Sequence, residues 1–157
     1  MATLDVKVMG AESLSRLARD LKAAGERDLR RELLKGVQRA AKPAKEAAKK
    51  AALEELPDVG GLAAEIAGSK FSAKTNTGRN PSVRITAKGR PNRSGREHDL
   101  RSLDRGRLRH PLYGNRGHWY NQAVKPDWFT EAMKKQAPEV RKEIVAAIDA
   151  VARKLEH

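Results

Sequence analysis

A chain of 157 residues with 34% charged and 39% hydrophobic side chains has room for one domain with a thin core and much solvated surface. The absence of cysteine excludes disulfides and thiolate chemistry. Its net charge of +13 is concentrated in the centre: residues 70–118 hold 13 basic and 3 acidic side chains, against 13 and 9 in residues 1–57 and 7 and 6 in residues 119–157. The flanks therefore have the near balance of solvated helix faces, and the middle is the segment that invites an anionic or interfacial partner. No apolar run approaches the roughly 20 residues that span a bilayer. The first residues lack the features of a signal peptide, which predicts a chain made and kept in the cytosol.

In chain order, Leu4-Asp5-Val6-Lys7-Val8-Met9 alternates apolar and polar residues, which predicts a short half-buried strand ending at Gly10. Ser13 suits a helix N-cap, with Leu14, Leu17 and Leu21 on one face and Gly25 to close it. A long helix is predicted from about residue 27 to 56, with an apolar line of Leu29, Leu33, Val37, Ala40, Ala44, Ala48 and Ala52. Alanine buries little area per residue, which leans this stripe toward a share in oligomer contacts. Pro43 removes a backbone bond at a cost of about 3 kcal/mol, which predicts a bend or break near residues 40–42.

Pro57-Asp58-Val59-Gly60-Gly61 breaks the helix, and residues 62–66 read as one helical turn closed by Gly68. Residues 70–75 and 82–87 read as strands joined by a turn-rich link, a β-hairpin. Residues 90–109 show no periodic apolar face and read as a mobile basic loop, about 89–109 in extent. Residues 110–114 and 119–124 read as short strands or packed loops that close the sheet. Asp127 suits the cap of a helix opening with Trp128 and Phe129. Pro138 then starts or kinks a final helix with Val140, Ile144, Ile148, Val151 and Leu155 on its face. The result is an α+β fold: a small, mostly antiparallel sheet packed by a long kinked N-terminal helix and a C-terminal helix, with a long basic loop. Residues 1–155 form a single domain, and Glu156-His157 look like a purification-tag remnant.

This order of elements resembles the tail-component family of bacteriophage neck proteins. The residues that carry the resemblance are Pro57, Asp58, Gly61 and Leu62, then Trp128, Phe129 and Ala132. The block from Gly106 through Trp119, followed by Val124-Lys125-Pro126-Asp127-Trp128-Phe129, is similar to the form in phages and prophages of actinobacteria. The resemblance covers residues 10–155. Where the family often has Thr-Gly-x-Leu, this chain has Val59-Gly60-Gly61-Leu62. The resemblance implies a non-catalytic virion subunit near the head–tail junction that works by ring assembly.

Ordering a 20-residue loop costs on the order of 20 to 40 kcal/mol of backbone entropy, and this one has few apolar side chains to offset it. It is therefore expected to order at a subunit interface or to face passing DNA, with an idle solvated loop as the bland alternative. The charge would come from Arg79, Arg84, Lys88, Arg90, Arg93, Arg96, Arg101, Arg105, Arg107 and Arg109. Trp119, Tyr120, Trp128 and Phe129 suit either a nucleic-acid stacking platform or the core, and the core reading is preferred. Trp119, Trp128 and Phe129 are then structural anchors that pin the last helix to the sheet.

His98, His110 and His118 lie near Asp99, Asp104 and Asn115, but no ββα pattern follows that would build a metal-dependent nuclease. Phosphate-loop, zincin and nucleophile-elbow motifs are absent too, so no catalysis, cofactor or metal is expected. The reading is a head–tail junction subunit that forms a homo-oligomeric ring in the virion, although an isolated subunit is compatible with a monomer. It docks head-completion or connector proteins and a tail terminator or tail tube, touches passing DNA non-specifically and avoids membranes. During assembly it would reside in the host cytoplasm. The alternatives are a tail terminator or minor tail subunit, and a general nucleic-acid-binding basic protein.

Overall fold

The computed structural model describes residues 3–8, 11–58, 60–76, 79, 82–92, 95–112 and 115–156. The elements run β1 (Thr3–Val8), α1 (Ala11–Ala23), α2 (Arg27–Glu55), α3 (Leu62–Ala67), β2 (Lys70–Asn76), β3 (Ser82–Lys88), α4 (Leu100–Asp104), β4 (Arg107–Leu112), β5 (Asn115–Ala123) and α5 (Trp128–Leu155). The fold is α+β, with one three-stranded and one two-stranded antiparallel sheet packed by long N-terminal and C-terminal helices.

The three-stranded sheet has the order β1-β3-β2. Ile85 of the central strand sits opposite Val6 on one side and Ala73 on the other. Alternation of Val83, Ile85 and Ala87 buries one face of β3, while Arg84 stays exposed on the other. The hairpin expected from residues 70–87 is present; four residues of its turn lie outside the described residues. Edge strand β2 is partly closed by α2, because the Gln38 amide donates to the Ala73 carbonyl at 2.9 Å. An edge group satisfied this way is withheld from pairing with another strand.

Helix α1 begins at Ala11, so Ser13 lies inside its first turn and is not the cap. Helix α2 runs unbroken through Pro43, so of the predicted bend or break the break does not occur. The proline is exposed, while Leu33, Val37, Ala41, Ala44, Ala48 and Ala52 are buried along the other face. Continuous packing along that face offsets the one missing backbone bond. The alanine stripe is thus spent inside the subunit, and the lean toward oligomer contacts is not sustained. Its packing includes α5, the element that contacts α2 most extensively.

Helix α5 is likewise a single helix with Pro138 inside it, so the proline does not start a separate element. Val140, Ile144 and Val151 are buried as the periodicity predicts, but Leu155 is 45% exposed at the frayed end. At the other end Phe129 stacks on Phe71 of β2, with ring centroids 6.5 Å apart, which pins α5 to the sheet.

Three further expectations are corrected. The basic segment is not one loop: it contains α4, whose Leu100 and Leu103 are fully buried, and it enters β4 at Arg107. Two leucines three residues apart are enough to seat a five-residue helix when Asp99 caps it, and such a helix is too short to show periodicity. The Asp99 carboxylate accepts from the backbone N–H groups of Arg101 and Ser102. Its ordering is therefore supported within the subunit, and the premise that this stretch needs a neighbour to fold fails for residues 95–109. Nor do β4 and β5 close the sheet: they form the separate two-stranded sheet. Trp119, expected as an anchor that pins the last helix to the sheet, is only half-buried on β5 and is not part of the core.

Candidate functional site: the β4–β5 groove

Strands β4 and β5 pair antiparallel from Arg107 opposite Ala123 to Pro111 opposite Trp119, with an irregularity between Pro111 and Leu112. The ribbon is rooted at Gly106, which has φ +83°; a Cβ there would meet the Val124 carbonyl at 2.9 Å. Only glycine fits this left-handed, crowded position. The Gly106 N–H donates to the Leu103 carbonyl at 3.0 Å, and its own carbonyl accepts from Val124 at 2.9 Å. The base of the ribbon is thereby tied to α4. Beyond it, every residue of β5 except Trp119 is exposed, and Tyr120 is 54% exposed.

The ribbon, α4 and α3 enclose an open groove of about 1190 Å³. Arg96, Arg105, Arg107, Arg109 and Arg116 line it, facing Glu65, Glu97 and Asp99. Trp119 is half-buried between two guanidinium groups: Arg96 lies 4.2 Å and Arg109 5.1 Å from its ring centroid. His98 Nε2 pairs with Glu65 Oε2 at 2.7 Å, which joins the segment before α4 to α3. His110 packs edge-on to its cross-strand partner Tyr120, with centroids 5.6 Å apart.

Of the ten basic candidates, the structure gathers Arg96, Arg105, Arg107 and Arg109 in this groove. Arg84 and Lys88 belong to β3, and exposed Arg79 lies between β2 and β3. Arg101 is on α4, Arg90 lines a different groove, and Arg93 lies outside the described residues. Trp128 and Phe129 are buried anchors, at 2% and 0% exposure; Trp119 belongs to the groove. Of the three histidines, His98 and His110 border the groove and His118 is exposed on β5. Sequence reasoning missed Arg116 and Glu65. Arg116 shares a strand with Trp119, but no alternation or motif in residues 115–123 singled it out. Glu65 carried no local signal, because its role depends on a partner 33 residues away.

Among the described residues, no group of three or more His, Cys, Asp or Glu is placed to hold a metal ion, and no helix is long and apolar enough to cross a membrane. Comparisons of the chain with protein-family models, with curated proteins and with solved structures return no match.

Proposed function

We propose that this chain is a structural subunit of a long-tailed phage head–tail junction, a neck or tail-completion protein that acts by assembly and docking and catalyses no reaction. The observation that carries the reading is the exposed β4–β5 arm. A two-stranded ribbon is marginally stable by itself, so an arm of this kind gains stability when another surface covers it. Its half-buried Trp119 and exposed Tyr120 are residue types enriched in interface cores, and its arginines suit the surrounding contact. The order of motifs around Pro57 and from Gly106 to Phe129 supports the same family reading.

An arm that reaches from one subunit to a different face of the next makes a heterologous contact, which closes into a ring when the rotation per subunit is right. The neighbours would be further copies of this chain, the connector above and a tail terminator or tail tube below. The place of action is the virion, reached from the host cytoplasm during assembly.

The test is sedimentation velocity over a concentration series, alone and with the connector complex of the phage or prophage that encodes the chain, followed by negative-stain imaging. Closed rings or a stable connector complex are expected, and both should be lost in a Trp119→Ser, Tyr120→Ser variant. A wild-type chain that stays monomeric and ignores the connector overturns the reading.

A further inference from the structure

Between the middle of α2 and edge strand β2 lies a second groove, of about 460 Å³, to which no residue of the β4–β5 arm contributes. Arg39, Lys42, Lys45 and Lys49 border it from successive turns of α2, and Lys70 and Arg90 bring the cations of its lining to six. Like charges three and four residues apart on a helix repel, so this row is held against an electrostatic cost. The rest of α2 does not relieve it. Its other carboxylates are engaged elsewhere: Asp28 with Arg31, Glu32 with Lys154, Glu54 with Lys50 and Glu55 with Lys125. The one carboxylate among the groove's lining residues is Glu46, 3.7 Å from Lys49.

A second observation concerns Ser69, also in the lining. It is only 5% exposed, and its Oγ has no hydrogen-bond partner. A buried hydroxyl without a partner is uncommon, and here it sits in a groove bordered by six cations. Its Oγ is closed to solvent, so the cations above it, and not the hydroxyl, are the groups that a ligand in the groove would meet.

The shape favours a polymer. At about 1.5 Å of rise per residue, the row from Arg39 to Lys49 extends for about 15 Å. Duplex DNA carries one phosphate charge per about 1.7 Å of axis, so a span of this length offers about nine charges, enough for all six cations. Lysine ammonium groups serve as point charges and carry no base readout. We infer that this groove seats the phosphate backbone of double-stranded DNA irrespective of sequence, through the row of cations on α2 together with Lys70 and Arg90. The inference is independent of the head–tail reading and stands or falls by DNA binding alone.

The experiment is fluorescence anisotropy of the full chain with a labelled duplex of arbitrary sequence, between 50 and 200 mM KCl. Six contacts give a slope of log affinity against log salt of about −5. The exposed-side variant Lys42→Ala, Lys45→Ala, Lys49→Ala should flatten the slope by about 3, with far-UV circular dichroism showing the helix intact. Arg107→Ala, Arg109→Ala in the arm should leave the slope as it is. No duplex binding at 50 mM KCl, an unchanged slope in the triple lysine variant, or a slope that drops with the arm variant instead would overturn the inference. So would displacement by poly-glutamate as effective as displacement by unlabelled duplex, since the groove would then belong to an acidic protein segment.

Discussion

The carboxylate of Asp104 caps helix α5 from outside it: Oδ1 accepts from the Phe129 N–H at 2.9 Å and the Thr130 N–H at 3.2 Å, and Oδ2 from the Thr130 hydroxyl at 2.5 Å. Asp127, next to the helix, makes no side-chain cap bond and sits at φ 63°. A buried acid at the end of α4 thus satisfies the orphan donors of α5 and faces the positive end of its dipole. Asp104→Ala should cost about 2 kcal/mol in urea denaturation, at the upper end for a lost cap because the freed N–H groups are buried. Asp127→Gly should be neutral or stabilise by up to about 1 kcal/mol, since glycine relieves the left-handed backbone. If Asp127→Gly proved the more damaging change, the cap would be misassigned.

Gly36 marks a close approach of α2 and α5. A Cβ at this position would lie 2.9 Å from the Cβ of Ala147, which is fixed to the helix backbone and cannot swing aside. Two effects oppose each other in Gly36→Ala. The helix propensity gain is about 1 kcal/mol, and the overpacking penalty in a well-filled interface is about 1 to 3 kcal/mol. A net loss of about 1 kcal/mol is expected. The double change Gly36→Ala, Ala147→Gly should recover part of it, because it moves the methyl group from one helix to the other. Non-additivity in a double-mutant cycle is the measurement, and strict additivity would show that the two positions do not press on each other.

These two contacts show what a single sequence does and does not disclose. The long helices were legible because leucine, valine and alanine recur at three and four residues over many turns, and β2 and β3 because short runs alternate between turn signals. Both prolines were given too much weight. Pro43 and Pro138 lie on exposed faces of long helices whose opposite faces are buried along their length, and that packing outweighs a single missing bond. Helix α4 was hidden because Leu100 and Leu103 are too few to make a pattern. The Asp104 cap was hidden because its partners are 25 and 26 residues away. Of the site, the arginines and Trp119 were legible as residue types. Their grouping around one ring depends on how the β4–β5 ribbon is rooted at Gly106, which spacing does not reveal. The α2–β2 groove was invisible for the same reason, since α2, β2 and the segment after β3 meet only in the fold.

The two tryptophans should separate cleanly in experiment. Trp128 is buried against Phe129, with ring centroids 5.7 Å apart, and Trp128→Ala should cost about 3 to 5 kcal/mol. Its indole Nε1 is buried without a hydrogen-bond partner, so Trp128→Phe removes an unsatisfied donor along with some volume. That change should cost no more than about 2 kcal/mol, below the alanine penalty, if the pocket contracts. Trp119 is held mainly by guanidinium contacts worth about 0.5 to 1 kcal/mol each at exposed sites, so Trp119→Ala should cost under about 2 kcal/mol. Thermal denaturation of the three variants gives the ranking. A Trp119→Ala protein as unstable as Trp128→Ala would mean that the ribbon is part of the core.

Pro43 offers the sharpest test of whether packing overrides local chemistry in α2. It lies deep in a 29-residue helix, where its missing N–H leaves the carbonyl four residues earlier without its usual donor. Nothing about the buried face requires the ring: Pro43 is exposed, and the alanines on either side of it, Ala41 and Ala44, are the residues that pack. Pro43→Ala should therefore stabilise the protein, by about 1 to 2 kcal/mol, with the folded-state helix content unchanged by circular dichroism. The gain stays below the full interior penalty because the existing helix has already relaxed around the ring. A destabilised Pro43→Ala protein would mean that α2 needs the geometry the proline imposes, and that the alanine stripe meets its neighbours only along a helix shaped by it.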